Sequence, residues 1–477
     1  MRKRSMDYRL INRHKEMLSS ILTSGSMVIE RWSVPNSAKV GASRFYKNKQ
    51  IKYEMLIDLH RNGVCPSHYA GRHLLNIGDT TSVKYSHIGR LRCNDKEIGL
   101  IEDNQSVGHL AHVNVMIDAL SGQSVGYGNL HLWSRPLGRS VNGGGHKKLP
   151  IEAKESHRWL LGSVQSASAY ASASMITTIH DRESDIYELF CDFVGKTREH
   201  LLVRSSWNRL MENGELLDTH LAELRQCGVE TYELEVPKTA KRSQRTAIMQ
   251  VTYAPVRLTR PKTKDKKYPP SVLLYAVEAI EISPIPAHEE AIHWRLLTTH
   301  QVADFATASQ IIRYYTQRWW IEDLFRLLKT QGLEVESSQL STGHALKNML
   351  TTAFIAALAI LNLRQAKQMN DLQTPANTVL TDDQIDFLKE YEPQLSGKTP
   401  LQQNPYPTQS LIWAAWLIAR LGGWNPHSRK DDPKRSFGVI VLTRGWQKLD
   451  QMTSVWAWTK QKQAAHNVNK PNFITDG

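Results

Sequence analysis

Three carboxylates stand out by their positions. Asp79 closes the apolar run Leu74-Leu75-Asn76-Ile77-Gly78 and precedes Thr80-Thr81-Ser82. Asp181 closes Met175–His180 and opens Asp181-Arg182-Glu183-Ser184-Asp185. Glu322 falls within a helical pattern. An ionised Asp at the C-terminal end of a buried strand is costly unless a cation or hydrogen bonds offset it. Two such residues on neighbouring strands, plus one helix carboxylate, can hold two divalent ions about 4 Å apart. An all-oxygen set suits Mg²⁺, with Mn²⁺ as a substitute, rather than zinc. Taken singly, Asp79 and Asp181 read equally well as turn or cap residues, and Glu322 as a solvated helix charge.

The spacing around Glu322 shifts that balance. The pattern predicts one helix over Thr307–Gln331. At 100° per residue, Tyr315, Arg318, Glu322, Arg326 and Lys329 share one narrow stripe, while Ile321, Leu324, Phe325 and Leu328 gather opposite as a core face. One carboxylate among three cations and a phenol can join a metal site while its neighbours clamp a phosphate. Ordinary pairing at i,i±4 accounts for Arg318, Glu322 and Arg326. It leaves Tyr315 and Lys329 unexplained.

The elements needed to position these groups are legible along the chain. Residues 1–63 read as helices, over 9–22 and, after Ser33-Val34-Pro35-Asn36, over 41–63. Residues 73–135 hold three β-rich segments. A helix over Glu152–Gly162, a buried strand over Met175–His180, a helix over Ile186–Phe193 and a strand over His200–Arg204 follow. Residues 205–292 form a separate β block with strands at Thr231–Pro237, Ala247–Val256 and Ser271–Ile282. Then come a strand at Trp294–Thr299, the helix carrying Glu322 and an apolar helix over His344–Gln368. Residues 369–409 are Pro-rich and linker-like, and a helix over Ser410–Leu421 stops at Gly422-Gly423. The expectation is an α/β layered core with an all-β insertion and helical ends. It divides into a helical region over 1–63, a core over 64–367 with its insertion at about 205–292, and a helical region over 368–477.

Composition bounds the function. The chain has 477 residues, 41% hydrophobic and 22% charged, with a formal net charge of +14. Residues 1–50 alone carry eleven Lys or Arg against three Asp or Glu. Such a field favours a polyanion, and nucleic acid is the commonest one inside cells. Basic loops at Lys238, Lys241, Arg242 and Arg245, and at Arg257, Arg260, Lys262, Lys264, Lys266 and Lys267, read as surface charge or phosphate contacts. The four cysteines lie far apart with no Cys-x-x-Cys, which argues against a disulfide scaffold or zinc ribbon and fits a reducing cytoplasm. Gly143-Gly144-Gly145 lacks the Lys-Ser/Thr of a phosphate loop and reads as a turn. The most apolar stretch, Ala353–Leu361, is shorter than the roughly 20 residues a membrane span needs.

Two motifs carry a resemblance. Asp181-Arg182-Glu183-Ser184-Asp185 resembles the DREAD signature, with Ser184 where the signature has Ala. Tyr315-x2-Arg318-x3-Glu322-x6-Lys329 has the spacing of the YREK signature. Together they resemble the DDE transposases of bacterial insertion sequences, in the insertion-sequence-four family that includes the transposon-five transposase. Supporting segments are Gly78–Ser82, Lys154-Glu155-Ser156 with Trp159, Leu202–Ser205, Trp294–Thr298 and Ala419–Gly423.

The resemblance implies a ribonuclease-H-like core with a β insertion between the second Asp and the Glu. It implies Asp79, Asp181 and Glu322 as the catalytic triad on two Mg²⁺, with Tyr315, Arg318 and Lys329 gripping a phosphate of the non-transferred strand. Arg326 shares their stripe. Trp294 would stack on a flipped base, or is a strand-core Trp. Arg204 would contact a phosphate, or partner Asp181. Glu183 and Asp185 read as hydrogen-bonders at a helix start. The implied activity is cut-and-paste transposition by phosphodiester hydrolysis, DNA hairpin formation and strand transfer. The implied partners are double-stranded DNA, as transposon ends and target, and a second copy in a synaptic dimer joined through residues 368–477, with no membrane. The chain begins late relative to the family's end-binding region. That motivates one alternative, a non-catalytic DNA-binding inhibitor of transposition. Another is a structure-specific nuclease on the same fold.

Overall fold

The computed structural model describes residues 6–89, 95–137, 149–227, 230–236, 242–330, 332–425 and 437–468. The glycine turn at 143–145 and the basic loop residues Lys238 and Lys241 lie outside them.

The first long strand, β1 (His73–Lys84), pairs antiparallel with β3 (Val107–Asp118), which also pairs with the short β2 (Gly99–Leu100) and with β4 (Ser124–Trp133). The run Met175–His180 is buried at every position after Met175, as a strand covered on both sides must be. It forms β5 (Met175–His180), parallel to β1 and to β6 (Glu199–Arg204). Next come β7 (Glu230–Val236), β8 (Arg245–Thr259), β9 (Ser271–Glu281) and β10 (His293–Thr298), all antiparallel. The ten strands make one mixed sheet, nine of them in the order β2-β3-β1-β5-β6-β10-β9-β8-β7, with β4 off this path on β3. A central mixed sheet with helical regions fits the expected α/β class.

The block at 205–292 departs from expectation twice. It is not separate, because β9 covers the edge that β10 would otherwise expose, so the backbone groups there are paired rather than bare. It is also not all-β. Alternating burial along β8 marks a strand with one open face, but the helix α6 (Leu217–Leu224) lies in the same block.

Three helices precede the sheet: α1 (Tyr8–Ser24), α2 (Asn36–Lys47) and α3 (Tyr53–Gly63). The single helix read over 41–63 is thus two, with an interruption after Lys47. Within and after the sheet come α4 (His157–Ala169), α5 (Tyr187–Phe193), α7 (Phe305–Thr316), α8 (Trp319–Lys329), α9 (Gly343–Gln368), α10 (Asp382–Leu395), α11 (Leu411–Leu421) and α12 (Val439–Val468). The linker-like stretch therefore contains α10, started by a capping box in which Thr381 and Gln384 satisfy each other's backbone N–H.

Helix α9 is the pillar of the helical layer. By length and composition it is apolar enough to cross a membrane, and 78% of that apolar window is buried inside the protein. The N-terminal helices dock on it. Asn348 Nδ2 donates to the carbonyls of Tyr46 (3.1 Å) and Ile51 (2.9 Å), and His14 Nε2 meets Thr352 Oγ1 at 3.2 Å.

The long helix expected over Thr307–Gln331 is α7 and α8, joined by a tighter turn. The N–H groups of Gln317, Arg318, Trp320 and Ile321 each bond the carbonyl three residues back, at 3.1–3.2 Å. Gln317 Oε1 also accepts from the Trp320 indole at 2.9 Å, which holds the turn. Three-residue bonds change the angular step between neighbouring side chains. The stripe counted from Tyr315 therefore does not run straight.

Candidate active site

Parallel pairing of β1 with β5 ends at Ile77–Ile179, while β1 continues alongside β3 to Lys84. Asp79 thus lies within a strand rather than at its end, but it emerges where β5 gives out. The same register places Asp79 beside Asp181, both on one face. Gly78 permits this approach: a Cβ there would lie 2.6 Å from His180 Nε2 and 2.8 Å from Asn114 Nδ2. Asp181 starts a short 3-10 turn, with its Oδ1 accepting from the Glu183 N–H at 2.9 Å. Glu322 comes from α8, its side chain half exposed.

Arg318 ties these groups together. It donates to Asp79 Oδ2 at 3.1 Å and to Glu322 Oε1 at 2.5 Å, and only 13% of its side chain is exposed. Burial pushes the Asp79 carboxyl up to about 7. Arg318 opposes that rise, and the neighbouring charges of Asp181 and Glu322 add to it. Burial works against the Arg318 charge, but Tyr315, Asp79, Glu322 and Asp181 outweigh it and hold the guanidinium protonated.

A second arginine, Arg158 at the start of α4, closes the other side. Its Nε donates to Thr80 Oγ1 at 3.0 Å and its Nη2 to Glu183 Oε2 at 2.8 Å, and it feels the charges of Asp181 and Asp79. Below them, burial drives His180 down to about 3 and His112 well below its usual range, so both rings are neutral. Two guanidinia therefore face Asp79, Asp181, Glu322 and Glu183.

The donor set suits a hard divalent cation in kind: three carboxylates, with Asp79 largely buried. Among the described residues no three His, Cys, Asp or Glu already converge as a metal cage. Arg318 stands between Asp79 and Glu322 instead.

The remaining expected site residues divide. Tyr315 is buried, with its hydroxyl pushed up by burial against the pull of Arg318 and Arg204. Arg204 donates to the His293 carbonyl at 2.9 Å and faces Tyr315, not Asp181. Trp294 is 6% exposed, its ring 5.4 Å from that of Tyr315 and 6.3 Å from that of Trp319. It packs here as a core residue, with no open face for a base. Lys329 is half-buried at the end of α8. Arg326 turns away from the stripe to pair with Asp323 at 2.6 Å.

Glu183 and Asp185 do more than start a helix. Glu183 anchors Arg158. Asp185 accepts from the N–H groups of Ser206 (2.8 Å) and Trp207 (3.1 Å) and from Arg209 Nε (2.9 Å). Basic residues at the end of β8 and in the loop after it form ion pairs with other segments: Arg257 with Glu212, Lys264 with Glu188 and Lys267 with Glu152. Arg158, Trp319 and Arg209 were missed from the sequence. The one available signal was the proximity of Arg158 to the Lys154-Glu155-Ser156/Trp159 segment.

Residues 211–359 match the family model described as a transposase DDE domain. The match covers under a third of the chain. It contains Trp294, Tyr315, Arg318, Glu322 and Lys329, while Asp79 and Asp181 precede it. It supports a transposase function, an activity that acts on DNA and in general uses divalent metal.

Proposed function

We propose that the chain is a DNA transposase of the insertion-sequence-four type, cutting and joining DNA at Asp79, Asp181 and Glu322. The observation that supports this is Arg318, which bonds Asp79 of β1 and Glu322 of α8 while Asp181 follows the end of β5 in register with Asp79. Asp79, Asp181 and Glu322 would hold two Mg²⁺ or Mn²⁺. Bound there, the ions supply an activated water and stabilise the departing 3′-oxygen.

The protein's own groups do the rest. With Asp79 and Glu322 holding a cation, the Arg318 guanidinium would be free for a phosphate oxygen. Tyr315 and Lys329 complete that grip from α7 and the end of α8, and Arg204 keeps the Tyr315 hydroxyl oriented. In the first step a water oxygen attacks phosphorus, the 3′-oxygen leaves and a free 3′-hydroxyl results. In later steps that hydroxyl attacks the opposite strand, forming a hairpin, and finally target DNA, so each bond broken is matched by one formed. A flipped base at Trp294 requires Trp294, Tyr315 and Trp319 to open. Residues 1–63 would bind end DNA, and 368–477 would join two copies.

The test is incubation with DNA carrying the element's ends and Mg²⁺. Wild type gives cleaved and joined products. Identical products from Asp181→Ala would remove the triad from the chemistry, and cleavage without joining would leave a nuclease.

A further inference from the structure

Just beyond Asp181 the chain holds an aromatic ring in solvent on a fixed support. Trp207 is 64% exposed. Exposed tryptophans are common on mobile tips, but this one is not on such a tip. Its own N–H and that of Ser206 are bonded to Asp185, whose side chain is fully buried and paired with Arg209. Ser205 Oγ adds a bond to the same carboxylate at 3.2 Å. Ser206 Oγ donates to the Arg182 carbonyl at 3.3 Å, which seats this loop against the turn that Asp181 begins. The backbone is thus locked on the rim of the site while the indole has no cover.

The turn against which this loop is seated carries a cation. Arg182 is exposed, and no ion pair among the described residues engages it. Its charge is felt by Arg204, whose guanidinium faces Tyr315. By contrast Trp294, buried against Tyr315 and Trp319, offers no free face. An uncovered indole on a pinned loop, seated against a turn that carries an exposed guanidinium, fits one ligand chemistry, a nucleotide whose base is out of its helix.

We propose that Trp207 and Arg182 form a second nucleotide subsite, on the Asp181 side of the site, in which the indole stacks on an unpaired base and the guanidinium takes its phosphate. This rests on the reading of the chain as a DNA-cutting and DNA-joining enzyme. Because Arg204 feels Arg182 and faces Tyr315, the subsite would hold a single-stranded stretch next to the Tyr315–Arg318–Lys329 grip.

The experiment compares a blunt duplex with the same duplex carrying a short single-stranded tail that contains 2-aminopurine, using the full chain in metal-free buffer. Wild type binds the tailed DNA more tightly and quenches the 2-aminopurine. Trp207→Ala weakens tailed binding about tenfold and loses the quench, Trp207→Phe keeps most of both, and blunt binding is unchanged. Arg182→Ala lowers the salt dependence of tailed binding by roughly one phosphate contact. Tailed binding and quench that survive in Trp207→Ala overturn the subsite. The same preparations, given Mg²⁺, separate the two ideas. Asp181-dependent cleavage without tail preference discards the subsite alone. Tail preference without Asp181-dependent cleavage discards the catalytic reading and leaves a single-strand binding site.

Discussion

Asp181 and Asp185 are four residues apart, and they belong to regions with opposite electrostatics. Asp185 lies in a closed knot. Its oxygens accept from two backbone N–H groups, a serine hydroxyl and the Arg209 guanidinium, and the pair is buried. Asp181, with Asp79 and Glu322, lies in an open one. There the carboxylates outnumber the guanidinia, and Asp79 is held so poorly as an anion that its carboxyl is pushed up to about 7. The first arrangement fixes a loop. The second is a site that a cation would complete. The comparison teaches that burial alone does not set a carboxylate's state: Asp185 is buried with several donors, whereas Asp79 is buried with one guanidinium that two further carboxylates share.

Substitutions should separate the two regions. The largest effect is expected from Asp181→Asn, which should lower cleavage by roughly four orders of magnitude while leaving the melting temperature nearly unchanged, as read by product formation and calorimetry. Arg209→Ala should do the reverse in kind. It leaves Asp185 charged and buried, costing about 3–5 kcal/mol in urea unfolding. Equal stability of that variant and wild type would erase the contrast.

Asp79→Asn should stabilise the metal-free protein, by about 2–4 kcal/mol at around pH 8. The folded carboxyl binds its proton more tightly than the unfolded one. Its contribution is therefore fully present below the unfolded pKa, near 4, and is lost as pH rises through about 7. The gain from the Asn should accordingly vanish on acidification, and pH-dependent chemical denaturation reads it.

The smallest effect belongs to the far end of the strands. There His73 and His300 share Thr177 Oγ1 at 2.8 and 2.7 Å, and His200 stacks on His300 at 4.0 Å. Burial, with His200 adding, lowers His73 to about 4 and, with His200 and His73 adding, lowers His300 to about 3. These groups contribute stability above pH about 6.5 that is lost as pH falls toward those values. His300→Gln should make acid unfolding shallower, by about 2 kcal/mol between neutral pH and pH 4.

Much of this site was legible because it depends on local pattern. A continuous apolar run ending in Asp announced β5 and Asp181. The spacing Tyr315–Arg318–Glu322–Lys329 suggested the proposed grip, although the turn at Gln317 divides the helix meant to carry it into α7 and α8. What local pattern could not reveal was pairing across long separations. The β block joins the core sheet through β9 and β10, and Arg158 reaches Thr80 and Glu183 from a different helix. Asp185 looked like another cap residue because its partners, Ser205–Arg209, are about twenty residues away. Arg326 failed for a nearer reason: Asp323, one turn back, outcompetes the site for it.

The central claim is that Asp79, Asp181 and Glu322 together hold divalent metal. The most direct test is Mn²⁺ binding to the DNA-free and DNA-bound protein, followed by electron paramagnetic resonance. Wild type should bind Mn²⁺ with Arg318 displaced, Arg318→Gln should bind it more tightly without DNA, and the double variant Asp79→Asn/Asp181→Asn should lose it. Undiminished Mn²⁺ binding in the double variant would contradict the account.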